Sequence, residues 1–217
     1  VERSRGLGDV YKRQILEKRL TDKSIIEIIS GHNGTSLFNE EGVAIEYEFL
    51  AKNIKKVGKQ LSSIDIKNNK ICALVLPNGI DMAISFLALA NYVTVSPLNP
   101  SYTREEFLFF LEDLDCDFII ADDNASNALI EAAKLLKIKL FYIESYSPES
   151  ELLIKSLPTS SISLPHQNKT DDICLILHTS GTTSRPKQVQ LSCMNIISSA
   201  LNIAQVLKLE KKDKGIN

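Results

Sequence analysis

The chain has 217 residues, of which 44% are hydrophobic and 24% charged, and its formal net charge is -2. Such a chain can bury one sizeable core, but it lacks the basic excess of a nucleic-acid-binding protein. The longest apolar stretch, 82–90, falls well short of the roughly 18 to 20 residues of a membrane span. No signal peptide is visible, and we expect a soluble, cytoplasmic protein.

The two ends of the chain differ from the rest. Residues 1–14, VERSRGLGDVYKRQ, are basic and show no helix or strand period. We interpret them as a non-native leader and assign the domain to residues 15–217. The other end stops just after a helical segment, at a glycine that would allow a turn into a further strand. The sequence therefore predicts a partial domain, incomplete at its C-terminal side.

Apolar spacing gives the elements in chain order. It predicts helices over 15–30 and 47–63, with a short strand over 43–46 between them. From residue 71 onward, strands over 71–76, 92–96, 117–121, 139–143 and 173–178 alternate with helices over 80–91, 103–112, 126–136 and 192–207. This alternation is typical of βαβ units and predicts an α/β fold with a mostly parallel sheet flanked by helices. The polar stretch 146–170 is interpreted as a surface connection.

Helix starts are marked by hydroxyl residues. Thr103 is followed three residues later by Glu106, which is the spacing of a capping box. Ser192 is the expected N-cap of the last helix.

The cysteines and histidines do not point to a metal site. Cys72 and Cys174 lie inside apolar runs, and no two of the four cysteines form a CxxC pair. Buried free thiols are therefore expected, without disulfides. The three histidines are far apart and show no metal-ligand spacing, so no metal ligand is assigned to the protein.

One segment has a composition suited to binding phosphate. Residues 179–187, TSGTTSRPK, follow a predicted buried strand and combine five hydroxyl side chains, one glycine and two cationic residues. Hydroxyls and free backbone N–H groups donate hydrogen bonds, and the cations neutralise negative charge. The segment differs from the GxxxxGK[ST] pattern of P-loops. Its composition alone leaves open the alternative of a solvated Ser/Thr-rich turn.

The segment 176–187, ILHTSGTTSRPK, resembles the signature loop of the AMP-binding, adenylate-forming superfamily. That superfamily includes acyl-CoA synthetases and the adenylation domains of peptide synthetases. LPNG at 76–79, FLALA at 86–90 and PLNPSYTREEF at 97–107 are similar to the superfamily's early block, in the same order and spacing. The resemblance covers nearly all of residues 15–217, and it implies the N-terminal part of the adenylate-forming fold.

The resemblance implies an ATP-dependent ligase that makes an acyl-adenylate from a small-molecule carboxylic acid and then an acyl-CoA thioester, with a place in fatty acid metabolism. It implies ATP, Mg²⁺ and coenzyme A as cofactors or co-substrates. Lys187 would be the catalytic residue, because it would neutralise the departing pyrophosphate. The nucleotide phosphates would contact Thr179, Ser180, Gly181, Thr182, Thr183, Ser184 and Lys187.

Several alternatives remain beside that function. Ser184 to Pro186, together with residues 97–107, resembles the branch of oxalate–CoA ligases and related small-acid synthetases. An adenylation module that loads a carrier-protein thiol is the first alternative, and a non-catalytic nucleotide-binding or structural remnant is the second. The superfamily's adenine, ribose and C-terminal lysine elements lie beyond this chain, so residues 1–217 alone are not expected to catalyse adenylation. Oligomeric state is open.

Gln188 departs from the superfamily pattern, which usually has glycine after the loop lysine. Glycine there would permit a positive φ, which costs glutamine about 1 kcal/mol or more, so the alternatives are a changed loop position or a sequencing change at this residue.

Other chemistry-bearing residues near the loop are given structural roles. His178 is expected to support the loop or pack beneath it. Cys193 lacks a partner base for nucleophilic catalysis. Phe107, Phe109 and Phe110 are expected to form a core-facing helix surface.

Overall fold

The computed structural model describes residues 23–64, 66, 69–146, 153–158, 166–179, 186–210 and 213. The strands are β1 Thr35–Phe38, β2 Ala44–Glu46, β3 Ile71–Val75, β4 Thr94–Pro97, β5 Phe118–Ala121, β6 Lys139–Glu144, β7 Leu153–Ile154, β8 Ile173–Thr179 and β9 Lys187–Ser192. The helices are α1 Ile25–Ser30, α2 Tyr47–Ser63, α3 Ile80–Ala90, α4 Arg104–Asp113, α5 Asn127–Leu136 and α6 Cys193–Val206.

A seven-stranded sheet organises the described residues, in the order β7-β6-β5-β3-β4-β8-β9. The five strands from β6 to β8 in this order pair in parallel, and the two outermost strands, β7 and β9, pair antiparallel with their neighbours. This confirms the predicted α/β fold with a mostly parallel sheet. β1 and β2 form a separate antiparallel pair.

Helices cover both faces of the sheet and divide the core in two. The chain passes from β3 to β4 in one direction and from β4 back across β3 to β5, so right-handed crossovers place α3 and α4 on opposite faces. α2 packs on α3, and α4 packs on α5. One cluster of buried residues includes Ile54 and Ile84, and the other includes Phe107 and Leu129. Two helical layers therefore enclose one sheet.

The central strands β3 and β5 are apolar along their whole length because both faces of the sheet are covered there. All four residues of β5 are buried, as are the last four residues of β3. The continuous run at 71–76 is thus a strand of the central sheet, as the sequence predicts for a parallel strand with two buried faces.

The predicted helix caps are confirmed. The backbone N–H of Thr103 donates to Glu106 Oε2 at 2.8 Å, and the Thr103 hydroxyl accepts from the backbone N–H of Glu106. The same backbone hydrogen bond lowers the pKa of Glu106. Ser192 caps α6 in the same way, with Asn195 as its reciprocal partner. Hydroxyl residues therefore set where both helices begin.

The interpretation of 146–170 as a surface connection is wrong at two buried positions, Ile154 and Asn168, whereas the other described residues of this stretch are exposed or partly buried. Ile154 is 3% exposed, and its backbone N–H donates to the side-chain amide oxygen of buried Gln60 at 3.0 Å. Asn168 is 4% exposed and donates through Nδ2 to the carbonyl oxygens of Ala90 and Val93. Polar composition misled the prediction because the polar groups at both positions find partners inside the protein: Gln60 accepts from Ile154, and Asn168 donates to Ala90 and Val93.

The strands β1, β7 and β9 were not predicted from the sequence. Each lies at the edge of its sheet or in the two-stranded pair, where one face is solvated and the apolar run is short or absent. The predicted helix over 15–30 is confirmed over Ile25–Ser30, where Ser24 is the N-cap. Its first part and the predicted leader at 1–14 lie outside the described residues.

Gly58 of α2 lies directly against the ring of Tyr92, which is 1% exposed. A Cβ at position 58 would come within 2.5 Å of Tyr92 Cζ and 2.7 Å of its hydroxyl oxygen. The helix therefore approaches this ring so closely that only glycine fits.

We expect Gly58→Ala to lower the free energy of unfolding by about 1–3 kcal/mol, because overpacking outweighs alanine's helix preference of about 1 kcal/mol. Urea denaturation followed by circular dichroism measures the change. Lys59→Ala, at the exposed next position of α2, is the control and should change the value by less than about 0.5 kcal/mol. Equal or greater stability in Gly58→Ala would contradict the close contact.

Candidate active site

The predicted phosphate-binding segment connects β8 to β9, which pair antiparallel. Thr179, the last residue of β8, pairs with Lys187, the first residue of β9. The structure therefore brings the first and last residues of the predicted site together across the hairpin. Ser180, Gly181, Thr182, Thr183 and Ser184 lie outside the described residues, and their predicted contacts with nucleotide stay predictions.

Both described members of the set are accessible. Thr179 and Lys187 are exposed, and the Thr179 hydroxyl donates to the carbonyl oxygen of Lys187 at 3.4 Å. The arrangement brings an exposed threonine and an exposed lysine together where the predicted segment begins and ends. An anionic ligand there would meet a cation and a hydrogen-bond donor together.

β8 carries this turn out of the core. Its residues Cys174, Leu175 and Ile176 are buried, whereas Leu177 and Thr179 are exposed. Two hydroxyls of β4 hold the buried part: Thr94 Oγ1 donates to the carbonyl oxygen of Ile173 at 2.6 Å, and Ser96 Oγ to that of Ile176 at 3.0 Å. The part of β8 that precedes the predicted segment is therefore anchored by satisfied polar groups of β4.

The end of β8, where the predicted segment begins, lies at the carboxyl edge of the parallel strands. β8 runs parallel to β4, so the residues that follow both strands leave the sheet on the same side. A crevice of about 410 Å³ opens at this edge. It is lined by Leu76 and Asn78 after β3, by residues 97–100 at and after the end of β4, and by Met82 of α3. Strand order reverses between β3 and β4, which is where open α/β sheets bind their ligands.

Gln188 occupies a regular strand position. It is part of β9 and is not among the residues with positive φ. The expected backbone cost of replacing glycine therefore does not arise, and the expectation of a displaced loop on that ground is wrong. The Gln188 amide instead donates from Nε2 to the Asp113 carboxylate at 2.9 Å. Sequence reasoning missed Asp113, which is distant in the chain and lies at the end of α4.

His178 has the supporting role expected from the sequence. Its ring packs edge-on against Phe110, with the centroids 4.7 Å apart, and its Nε2 lies 3.1 Å from Asp113 Oδ2. Phe107 and Phe110 are buried, as predicted, and Phe109 is partly buried against the same core. This aromatic surface of α4 forms the support beneath the hairpin.

Cys193 begins α6 and is 1% exposed. The hydrogen bond between the thiols of Cys174 and Cys193 lowers the pKa of Cys193 and, with burial, raises the pKa of Cys174. All four cysteines are buried free thiols, as the sequence predicts. The side chain therefore has little access to a substrate, as expected of a structural cysteine.

Within the described ranges, no three His, Cys, Asp or Glu side chains come together as a metal site. In the same part of the chain, no helix combines the length and apolar character needed to cross a membrane.

The sequence model of the family described as AMP-binding enzyme matches residues 28–215. The chain belongs to this family. It is 36% identical over 166 residues to an oxalate–CoA ligase of Arabidopsis thaliana. This alignment covers 75% of the chain and 32% of the relative. It is 32% identical over 169 residues to an oxalate–CoA ligase of Saccharomyces cerevisiae. That alignment covers 65% of the chain and 31% of the relative.

A more distant relative is a dimodular nonribosomal peptide synthase of Bacillus subtilis, 24% identical over 181 residues that cover 80% of the chain and 7% of the relative. The chain spans about a third of the length of the CoA ligases it matches.

Among solved structures, apo MatB from Rhodopseudomonas palustris shares the fold. The TM-score is 0.72 at 18% identity, and the match covers 88% of this chain and 38% of that one. The mostly parallel sheet and its helical layers thus recur in a solved member of the same fold. At this identity the likeness concerns the fold alone.

The burial of the four thiols has a chemical consequence. Burial raises the pKa of Cys116 to about 12 and that of Cys72 well above its ordinary value. At about pH 8, where an accessible thiol with a pKa near 8.5 is partly ionised, we expect Ellman's reagent to react slowly with the native chain. In denaturant all four thiols should react rapidly. One native thiol that reacts as fast as free cysteine would contradict this and reopen a nucleophilic role for Cys193.

Proposed function

We propose that this chain is part of an ATP-dependent acid–thiol ligase, which activates a carboxylic acid as an acyl-adenylate and transfers the acyl group to coenzyme A. One observation carries the proposal. Thr179 and Lys187 meet at the mouth of the β8–β9 turn, at the carboxyl edge where the parallel sheet opens its crevice. Membership of the AMP-binding enzyme family supports the same chemistry.

The proposed reaction needs no side-chain nucleophile, because the substrate carboxylate is the attacking group. A substrate carboxylate oxygen attacks the α-phosphorus of ATP, the bond to the bridging oxygen breaks, and pyrophosphate leaves with the negative charge. Lys187 would neutralise charge that develops on the leaving group, which is the kind of interaction that accelerates a step. Thr179 to Ser184 would supply hydroxyl and backbone donors to the phosphate oxygens.

Mg²⁺ belongs to the proposal as the ion that accompanies the nucleotide. It prefers oxygen ligands and is held in such sites largely by substrate phosphates, with few protein ligands. The exposed Thr179 hydroxyl is an oxygen donor of the required kind. The ion would screen the phosphate charge that the carboxylate must approach.

The names of the relatives favour a small acid. Two of them act on oxalate by name, so a small carboxylic acid is proposed ahead of a fatty acid, and the expected place in fatty acid metabolism has less support. The nonribosomal peptide synthase keeps the carrier-protein thiol as the alternative acceptor. The four buried free thiols fit the reducing cytoplasm, the compartment we propose.

We expect the 217-residue chain to bind the magnesium complexes of ATP and of tripolyphosphate, because the loop would contact the phosphate chain. Phosphorus NMR titration detects weak binding of this kind. Lys187→Ala should weaken both affinities by about tenfold, since it removes one charge-assisted contact. Lys59→Ala, an exposed lysine on α2, is the matched control and should bind as the parent chain does.

Three results would argue against the proposal or part of it. No affinity for either ligand would favour a plain structural domain. Equal loss in both lysine variants would indicate nonspecific attraction of charge. ATP–pyrophosphate exchange by the chain alone would contradict the expectation that catalysis needs the elements present in the longer relatives.

A further inference from the structure

Three side chains from two distant parts of the chain meet beside the hairpin, and we call them the Asp113 clamp: Asp113 of α4, His178 of β8 and Gln188 of β9. His178 Nε2 lies 3.1 Å from Asp113 Oδ2, and Gln188 Nε2 lies 2.9 Å from the same oxygen. A carboxylate only accepts, so the ring proton of His178 is on Nε2.

The end of α4 explains why donors gather there. Asp113 is the last residue of the helix, where carbonyl groups lack intrahelical partners and the helix dipole disfavours negative charge. Gln188 Nε2 also donates to the main-chain carbonyl oxygen of Asp113. One amide group thus satisfies both the carboxylate and a carbonyl at the end of the helix.

The clamp connects the helix to both strands of the hairpin at the same level. His178 and Gln188 are directly opposite each other in the β8–β9 register. A slip of one residue along either strand would turn that side chain to the other face of the sheet, away from α4. The edge-on contact between His178 and Phe110 fixes the same face by packing.

The next pair in this register is Thr179 and Lys187, at the mouth of the turn. We propose that Asp113, His178 and Gln188 are positioning residues that lock the register of the β8–β9 hairpin and thereby fix where Lys187 and Thr179 stand. The importance of that position for phosphate binding rests on the proposed function. The clamp itself is a property of the hairpin and α4, and it can be tested without nucleotide.

The first experiment measures amide hydrogen exchange by mass spectrometry in the 217-residue chain. Gln188→Ala should raise the exchange of peptides covering residues 173–179 and 187–192 by roughly three- to tenfold, since it removes hydrogen bonds to a charged group. Peptides covering β3 and β5 should be unchanged, which excludes global unfolding. Gln190→Ala is the control, because Gln190 is an exposed glutamine two residues further along the same strand.

A charge exchange tests whether Gln188 acts through Asp113. Gln188→Glu places two carboxylates together and should raise hairpin exchange at least as much as Gln188→Ala. Adding Asp113→Asn restores a donor opposite Glu but not the bond to the main-chain carbonyl of residue 113. The double variant should therefore exchange more slowly than Gln188→Glu and no more slowly than the parent chain. Unchanged exchange in Gln188→Ala, or a double variant no better than Gln188→Glu, would overturn the clamp.

Titration of the same variants with magnesium tripolyphosphate separates the clamp from the proposed function. Weaker binding in Gln188→Glu, recovered in the double variant, supports positioning of Lys187 by the clamp. Unchanged binding despite faster hairpin exchange would overturn the positioning role. If the parent chain binds no phosphate while the exchange results hold, the proposed function fails and the register lock stands.

Discussion

The pairing of β8 with β4 is the interaction on which the candidate site depends. β8 must satisfy its backbone groups inside the protein where it is buried, and the hydroxyls of Thr94 and Ser96 accomplish part of this by donating to its carbonyl oxygens. Since the two strands run parallel, the same pairing directs the end of β8 to the edge where β3 and β4 also end. The position of Thr179, where the proposed phosphate-binding segment begins, follows from this buried contact.

Beyond that edge the residues of β8 are no longer fully buried. β8 leaves the core after Ile176 and continues as one strand of an exposed hairpin, where apolar burial no longer decides the register. Polar contacts with the end of α4 replace it: Asp113 receives donors from both strands of the hairpin. An exposed strand pair of weak apolar pattern is prone to slip, so a clamp next to the turn matters more here than in the central sheet.

The effect of Gln188 on the structure depends on its side-chain contact with Asp113 and not on its local backbone conformation. A glycine after the loop lysine suggests freedom to adopt positive φ, and its replacement looks costly when only the local backbone is considered. In the folded chain the residue is part of a regular strand, and its side chain reaches a helix end formed 75 residues earlier. The consequence of the substitution is therefore a tertiary contact, which no local rule of backbone conformation contains.

The sequence by itself determined the α/β class, the central strands, the starts of α4 and α6, and the family, because long apolar runs, capping residues and a dense loop motif are local signals. It did not predict β1, β7 or β9, nor the burial of Ile154 and Asn168. Only the tertiary structure decided that Thr179 meets Lys187 and that Asp113 holds His178 and Gln188. Those contacts join residues whose positions depend on how the whole sheet is ordered, and strand order arises from packing both faces of the sheet at once.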